Sequence, residues 1–199
     1  TTMMNMISGA LKPSAGRISL RGRRLSDMTA HEIARSGVGR TFQLVRLLPG
    51  LSVLENAMAG AVFGHKRRWG REAEDFAFEM LDIVGMEAAA RAPVSSLTYI
   101  DQKRVELARV LAGEPEVLLL DEWLAGLNPT ELQAGIDLIH RLRDEGRTVV
   151  LVEHVMDAIR ALCDRCVVMS AGRKIAEGPT DAVLTDREVI RAYLGDEDA

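Results

Sequence analysis

Two cysteines among 199 residues are too few for a disulfide framework. No apolar run approaches the ~20 residues that a bilayer-spanning helix needs. The longest, Val117 to Leu120 and Thr148 to Val152, have the length of strands. No charged-then-apolar leader opens the sequence, and a reducing cytoplasm is the compartment these features point to. The net charge of -4 supplies no basic excess for neutralising phosphates, so no nucleic-acid partner is expected. Cys163 and Cys166 form a C-x-x-C, but without a second pair or a nearby histidine it does not read as a zinc site. The apolar run from Cys166 to Met169 predicts buried strand cysteines instead. What remains is 47% apolar and 27% charged residues, a composition that builds one conventional core rather than a disordered or fibrous chain.

The second half declares its organisation most clearly. Glu114-Pro115 breaks the chain, and Val117 to Leu120 follows as an uninterrupted apolar run of the kind covered on both faces of a sheet. It stops at Asp121-Glu122. Asn128-Pro129-Thr130-Glu131 predicts a helix start, with Asn at the cap, Pro at the first helical position and Glu three residues after the cap. Leu132, Ile136, Ile139 and Leu142 recur at helical spacing up to Gly146, and Thr148 to Val152 gives a second apolar strand ending in Glu153-His154. This is a βαβ unit, whose right-handed crossover makes parallel strands. Asp121, Glu122 and His154 then emerge at one carboxyl edge, where open α/β sheets bind ligands. Taken singly, Asp121 or His154 is equally explained as a cap of the turn that follows.

Elsewhere the pattern predicts a short helix at Thr1 to Ile7, a strand at Arg17 to Leu20 and a helix at Val155 to Leu162. Strands follow at Val167 to Ser170 and Lys174 to Ala176, around the turn Ala171-Gly172-Arg173. The tail from Thr180 to Leu194 has amphipathic helical spacing, and Gly195 to Ala199 is an acidic end expected to fray. Residues 44–113 read as a helical subdomain inserted into a core formed by 1–43 and 114–199, with helices at Val53 to Val62 and Glu72 to Val84. The loop between them carries Lys66-Arg67-Arg68, expected to be a solvated face.

Several segments together resemble the ATP-binding subunits of ABC transporters. Leu97-Thr98-Tyr99-Ile100-Asp101-Gln102 is similar to the signature segment, and Leu118 to Glu122 to the Walker B strand. Arg40-Thr41-Phe42-Gln43 resembles the Q-loop, Ala125-Gly126-Leu127-Asn128 the D-loop, and His154 the switch histidine. Leu51 to Asn56, the run Ala125 to Glu131 and the ending Val189 to Gly195 are similar, more narrowly, to the ATPase subunit of branched-chain amino-acid importers. The likeness covers nearly the whole chain. It implies an α/β P-loop NTPase core, a mostly parallel sheet flanked by helices, with a helical subdomain inserted. The long coiled-coil insertion of chromosome-organising relatives is absent between Gln102 and Asp121.

The resemblance also implies roles. ATP and Mg²⁺ are the expected ligands, since γ-phosphoryl transfer to water rests on charge neutralisation, a metal and a positioned nucleophile. Thr1, Gln43 and Asp121 would hold the metal; Thr1, Thr2, Gln43, Asp121 and His154 would line the nucleotide site; Glu122 would be the general base. The signature hydroxyl and N–H groups would grip the nucleotide of a second subunit. Asn128 is accounted for as a helix cap, and the D-loop likeness adds a second role. Transmembrane permease subunits, a second ATP-binding subunit and, indirectly, a substrate-binding protein are the implied partners, with the subunit peripheral on the inner face of the plasma membrane. Three departures stand out. The family's G-x-x-x-x-G-K-[ST] is represented only by its end at Thr1 and Thr2, so the sequence is expected to be that of a subunit cut short after the phosphate-loop lysine, without the N-terminal strands. Ile100 stands where the signature has its second glycine, and Trp123 replaces the usual proline. A non-catalytic subunit that docks on the permease without hydrolysing ATP is the alternative reading.

Overall fold

The computed structural model describes residues 1–194; the acidic end at 195–199 lies outside them. Helix α1 (Thr2–Ile7) leads through a two-stranded hairpin, β1 (Ser19–Leu20) and β2 (Arg23–Arg24), into α2 (Ala30–Arg35) and strand β3 (Val38–Arg40). Arg21 and Gly22 turn the chain with φ of 48° and 79°, and only the last two residues of the expected strand at Arg17 to Leu20 pair, because the chain opposite Arg17 and Ile18 enters a helical turn at Leu25–Asp27. Helices α3 (Val53–Phe63) and α4 (Gly70–Ile83) follow, close to the expected spans, and then α5 (Tyr99–Ala112). Then come β4 (Val117–Asp121), α6 (Pro129–Asp144) and β5 (Thr148–Val152), the βαβ unit. The chain ends in α7 (Met156–Leu162), the hairpin β6 (Arg165–Ser170) and β7 (Arg173–Pro179), and helices α8 (Thr180–Leu184) and α9 (Arg187–Leu194).

The central sheet is parallel, in the order β3-β4-β5. Asn128 caps α6 as its spacing predicts: its side chain accepts from the Glu131 N–H, and Glu131 reaches back to the Asn128 N–H. Strand β4 is flanked by a strand on each side, and Leu118, Leu119 and Leu120 are buried completely or nearly so. Strand β5 is not buried to the same degree. It pairs with β4 on one side only among the described residues, and Val150 is 38% exposed. The main core runs without a break from α3, α4 and α5 through Leu118 and Leu120 to Ile136, Ile139 and Leu142 of α6. A smaller cluster joins Met4, Leu25, Ile33, Val38 and Leu119 on the other face of the sheet.

Three expectations need correction, and the place of Trp123 becomes clear. The tail is two helices rather than one, since the Asp186 carboxylate accepts from the Glu188 and Val189 N–H groups and starts α9 afresh. Cys163 and Cys166 are partly buried rather than fully so, and Cys163 lies just past α7 instead of in a strand. Burial nevertheless pushes the Cys163 thiol up to about 11. In the basic run Lys66 and Arg67 stay exposed as expected, but Arg68 does not: it pairs with Glu114, as the exposed Lys66 also does, and lies 3.9 Å from the Phe76 ring centroid. Trp123 is a core residue; it is 6% exposed and its indole N–H donates to the Lys103 carbonyl at 3.3 Å.

Helices α3 and α5 approach so closely that a Cβ at Gly60 would sit 1.9 Å from the Arg109 carbonyl oxygen. Overpacking of a rigid contact costs about 1–3 kcal/mol or more. Gly60→Ala is therefore expected to lower stability by about 3 kcal/mol in chemical denaturation, whereas Gly50→Ala, where a Cβ meets nothing within 4 Å, serves as the near-neutral control.

Candidate functional site

Parallel pairing sets the site. Asp121 is in register with Val152, and the Glu122 N–H donates to the Val152 carbonyl at 2.9 Å, so the ends of β4 and β5 are level. His154, exposed two residues beyond the end of β5, shares that carboxyl edge with Asp121 and Glu122, as the βαβ reading expects. From the other side, β3 pairs with β4 and delivers Arg40, Thr41, Phe42 and Gln43 to the same edge.

Asp121 is 1% exposed, and each of its oxygens has a different neighbour. Arg40 Nη2 donates to Oδ2 at 2.9 Å, while Thr1 Oγ1 lies 3.5 Å from Oδ1. Arg40 is itself buried, and its Nη1 donates to Asn5 Oδ1 at 2.7 Å and Ser8 Oγ at 2.9 Å. One guanidinium thus ties β3, α1 and β4 together.

Glu122 is the first residue after β4 and adopts φ of +51°, a left-handed conformation unusual for a side chain with a Cβ. Gln43 Nε2 donates to Glu122 Oε2 at 2.8 Å, bringing two of the sequence candidates into direct contact across 79 positions. Backbone carbonyls of the same turn point inward to Lys103, whose Nζ lies 3.3 Å from Glu122 O, 3.0 Å from Trp123 O and 2.9 Å from Ala125 O. Burial pulls the Lys103 ammonium below its ordinary range. Gly126 at φ +79° then leads into Leu127 and the Asn128 cap.

The first turn of α5 carries the signature-like residues. Thr98 caps the helix, accepting from the Asp101 N–H at 3.2 Å and donating to Asp101 Oδ2 at 2.7 Å. Gln102 donates to the Leu97 carbonyl at 3.1 Å, and the Tyr99 hydroxyl to the Gln43 carbonyl at 2.9 Å. Ile100 lines a cleft with Lys103, Arg104, Trp123 and Leu127. Thr98, Gly126 and Asn128 stay exposed and so accessible from outside the chain. Thr1 and Thr2, at the start of α1, are exposed as well.

Three groups were given no role on the sequence alone. Lys103 is one. Glu106 is fully buried and accepts from the Phe42 N–H at 3.1 Å and the Arg46 N–H at 2.8 Å, bracketing Gln43. Glu153, beside His154, accepts from the Leu124 N–H at 2.8 Å. Burial pushes both carboxyls above their ordinary range. A charged residue next to a candidate motif is the one sequence signal any of them gave.

Comparison with known proteins places this constellation. The ABC transporter family matches residues 1–125, and a branched-chain amino acid ATP-binding cassette transporter family matches residues 173–199. The high-affinity branched-chain amino acid transport ATP-binding protein LivG of Salmonella typhimurium is 38% identical over 210 residues, covering 98% of this chain and 82% of that protein. The corresponding protein BraF of Pseudomonas aeruginosa is 36% identical over 213 residues, with the same coverage of 98% and 82%. Among solved structures, the ATP-binding cassette MJ1267 in its ADP conformation superposes with a TM-score of 0.83 at 26% identity, over 98% of this chain and 83% of that one. The dimeric MJ0796 cassette bound to ADP and Pi gives 0.81 at 27% identity, over 90% and 79%.

Two predictions follow from the electrostatics. Removing one partner of a buried ion pair strands the other charge, at a cost of about 3–5 kcal/mol, whereas an apolar replacement of both can be near neutral. Arg40→Met is expected to destabilise by that amount, and Arg40→Met/Asp121→Leu by clearly less than the two single changes summed; additivity in denaturant unfolding would refute it. For Glu153, a carboxyl raised above its ordinary 4.5 keeps its proton to higher pH in the folded state than in the unfolded chain. That linkage favours the fold below pH 4.5 and fades as pH rises through the raised value. Wild type should therefore lose stability relative to Glu153→Gln between pH 4.5 and neutrality, and parallel urea-unfolding curves would exclude the effect.

Proposed function

The chain belongs to the ABC transporter family of ATP-binding proteins, and from that premise we propose that it is the ATP-hydrolysing subunit of an importer for branched-chain amino acids. The observation that carries the reading is the contact of Gln43 Nε2 with Glu122 Oε2, at 2.8 Å, beside a buried Asp121 at the carboxyl edge of the sheet. The amino-acid class rests on the names of LivG and BraF and on the family matched at residues 173–199.

Hydrolysis needs a water aimed at the γ-phosphorus and a base to take its proton. Glu122 is that base: the reversal of the chain after β4 turns its carboxylate outward to meet Gln43, which orients it. His154 donates an imidazole N–H to the γ-phosphate from the neighbouring strand end. Thr1 Oγ1 and Asp121 Oδ1 are hard oxygen donors 3.5 Å apart, and Arg40 occupies only the other carboxylate oxygen, so the donor set fits Mg²⁺. Thr1, Asp121 and Gln43 would hold that ion, which when bound neutralises charge building on the phosphates. Thr2, the first residue of α1, would contact the same phosphates.

In a dimer of two ATP-binding subunits, the exposed start of α5 from Leu97 to Gln102 would face the nucleotide of the opposite subunit, with the D-loop residues Ala125 to Asn128 along the seam. Residues 44–113 form the helical subdomain, and Gln43 sits at its entry, where contact with the permease can be felt by the site. No helix among the described residues is long and apolar enough to cross a membrane. Transport therefore requires transmembrane permease subunits, with this subunit on the inner face of the plasma membrane and a substrate-binding protein delivering the amino acid.

In the subunit assembled on its permease, Glu122→Gln is expected to cut Mg²⁺-dependent ATP hydrolysis by about 10³-fold while leaving ATP binding intact. Turnover at the wild-type rate in that variant would overturn the assignment of the base. Vesicles carrying the wild-type assembly should take up leucine, isoleucine and valine on addition of ATP; uptake of a different solute class in their place would overturn the substrate assignment.

A further inference from the structure

Tyr99, Lys103, Glu106 and Arg109 follow one another on α5 at spacings of four, three and three, which puts them on one face of the helix. Each of the four reaches backbone atoms in one of two segments. The Tyr99 hydroxyl takes the carbonyl of Gln43, Glu106 takes the N–H groups of Phe42 and Arg46, and Arg109 takes the carbonyl of Arg46. Lys103 takes the carbonyls of Glu122, Trp123 and Ala125. The first segment carries Gln43 and the second carries Glu122. Because the helix holds main chain on both sides, the two side chains remain free to meet each other, as they do at 2.8 Å.

The cost of this arrangement argues that it does more than fill space. Lys103 is 4% exposed and Glu106 0% exposed, and removing a charge from water is expensive unless its hydrogen-bonding capacity is used. Three carbonyls use all three donors of Lys103, and two N–H groups take the two oxygens of Glu106. An apolar pair of the same size would pack at lower cost, but could not fix the direction of either loop.

We propose that Lys103 and Glu106 are positioning residues for hydrolysis, holding the Glu122 turn and the Gln43 loop at one separation. The inference rests on Glu122 as the base and adds which residues aim it.

Steady-state ATP hydrolysis by the transporter assembled with Lys103→Met, Lys103→Arg or Glu106→Gln tests it, with rates expressed per folded subunit. Misplacement of a reacting group by about 1 Å costs on the order of 10²-fold. Lys103→Met and Glu106→Gln are accordingly expected to lower kcat by roughly tenfold to a hundredfold with the KM for ATP within about twofold of wild type. Lys103→Arg, which keeps donors for the three carbonyls, should restore most of the lost rate. Wild-type kcat per folded subunit in Lys103→Met or Glu106→Gln overturns the proposal, and so does a parallel change of kcat and KM. Should Lys103→Met fail to fold, Glu106→Gln, which preserves the shape of the side chain, decides alone by the same criterion. Normal turnover in Glu122→Gln would instead mean that the base is misassigned, so the two failures are told apart.

Discussion

A carboxylate with 1% of its surface exposed must be compensated, and the way Asp121 is compensated organises the carboxyl edge of the sheet. Its partner, Arg40, reaches it from the adjacent strand β3 and spends its remaining terminal nitrogen on Asn5 and Ser8 of α1. Sheet and first helix are thereby fixed to each other through a single planar group whose donors are set in direction. Lysine in that place could supply the charge but not three bonds in one plane. With Oδ2 committed to Arg40, the free oxygen of Asp121 is turned toward Thr1, which is how an internal ion pair also comes to shape a ligand site.

The fold was readable where hydrophobicity and capping agree. Strand β4 is a pure apolar run, α6 opens with Asn128, Pro129 and Glu131 in their preferred places, and β5 repeats the run; together they force the level strand ends that gather Asp121, Glu122 and His154. Reading failed where a residue's chemistry gives no sign of its environment. Lys103 and Glu106 are charged, and at helical spacing a stripe of charge normally marks the face toward water. Beyond its partly exposed first turn α5 is embedded in the core, with Val105, Leu107, Ala108 and Leu111 fully buried, and Lys103 and Glu106 are buried with them. Arg68 misled in the same way, since the carboxylate that fixes it, Glu114, lies more than forty positions later. Asp186 was a local sign that was missed, an acceptor placed two and three residues ahead of the N–H groups of a new helix.

Buried charge in this molecule is directed mainly at main chain. Apart from Arg40 with Asp121, the interior ions serve loops: Lys103 holds carbonyls, Glu106 and Glu153 hold N–H groups. A backbone group left unpaired in the interior costs about as much as a lost hydrogen bond, and the loops around a catalytic edge expose many such groups in directions no strand can meet. Side chains on a helix can meet them. The price is a set of ions with shifted titration, the ammonium of Lys103 pulled down and the carboxyls of Glu106 and Glu153 pushed up.

The turn at Glu122 shows why such support is needed. A side chain with a Cβ at φ +51° sits in a sparsely populated region and persists only when its surroundings over-determine it, at a cost of order 1–3 kcal/mol. Glycine would relieve the strain but would offer Gln43 no carboxylate. The surroundings supply what the backbone lacks: Val152 takes the N–H of Glu122, Lys103 takes its carbonyl and those of Trp123 and Ala125, and Trp123 closes the circle by donating to Lys103's own carbonyl. With the main chain bound on both sides of the residue, the one group left to project outward is the carboxylate, which meets Gln43. Strain at Glu122 and buried charge at Lys103 are thus two halves of one solution. Each is unfavourable alone, and each is sustained by the other in order to present an acid side chain at the end of a strand.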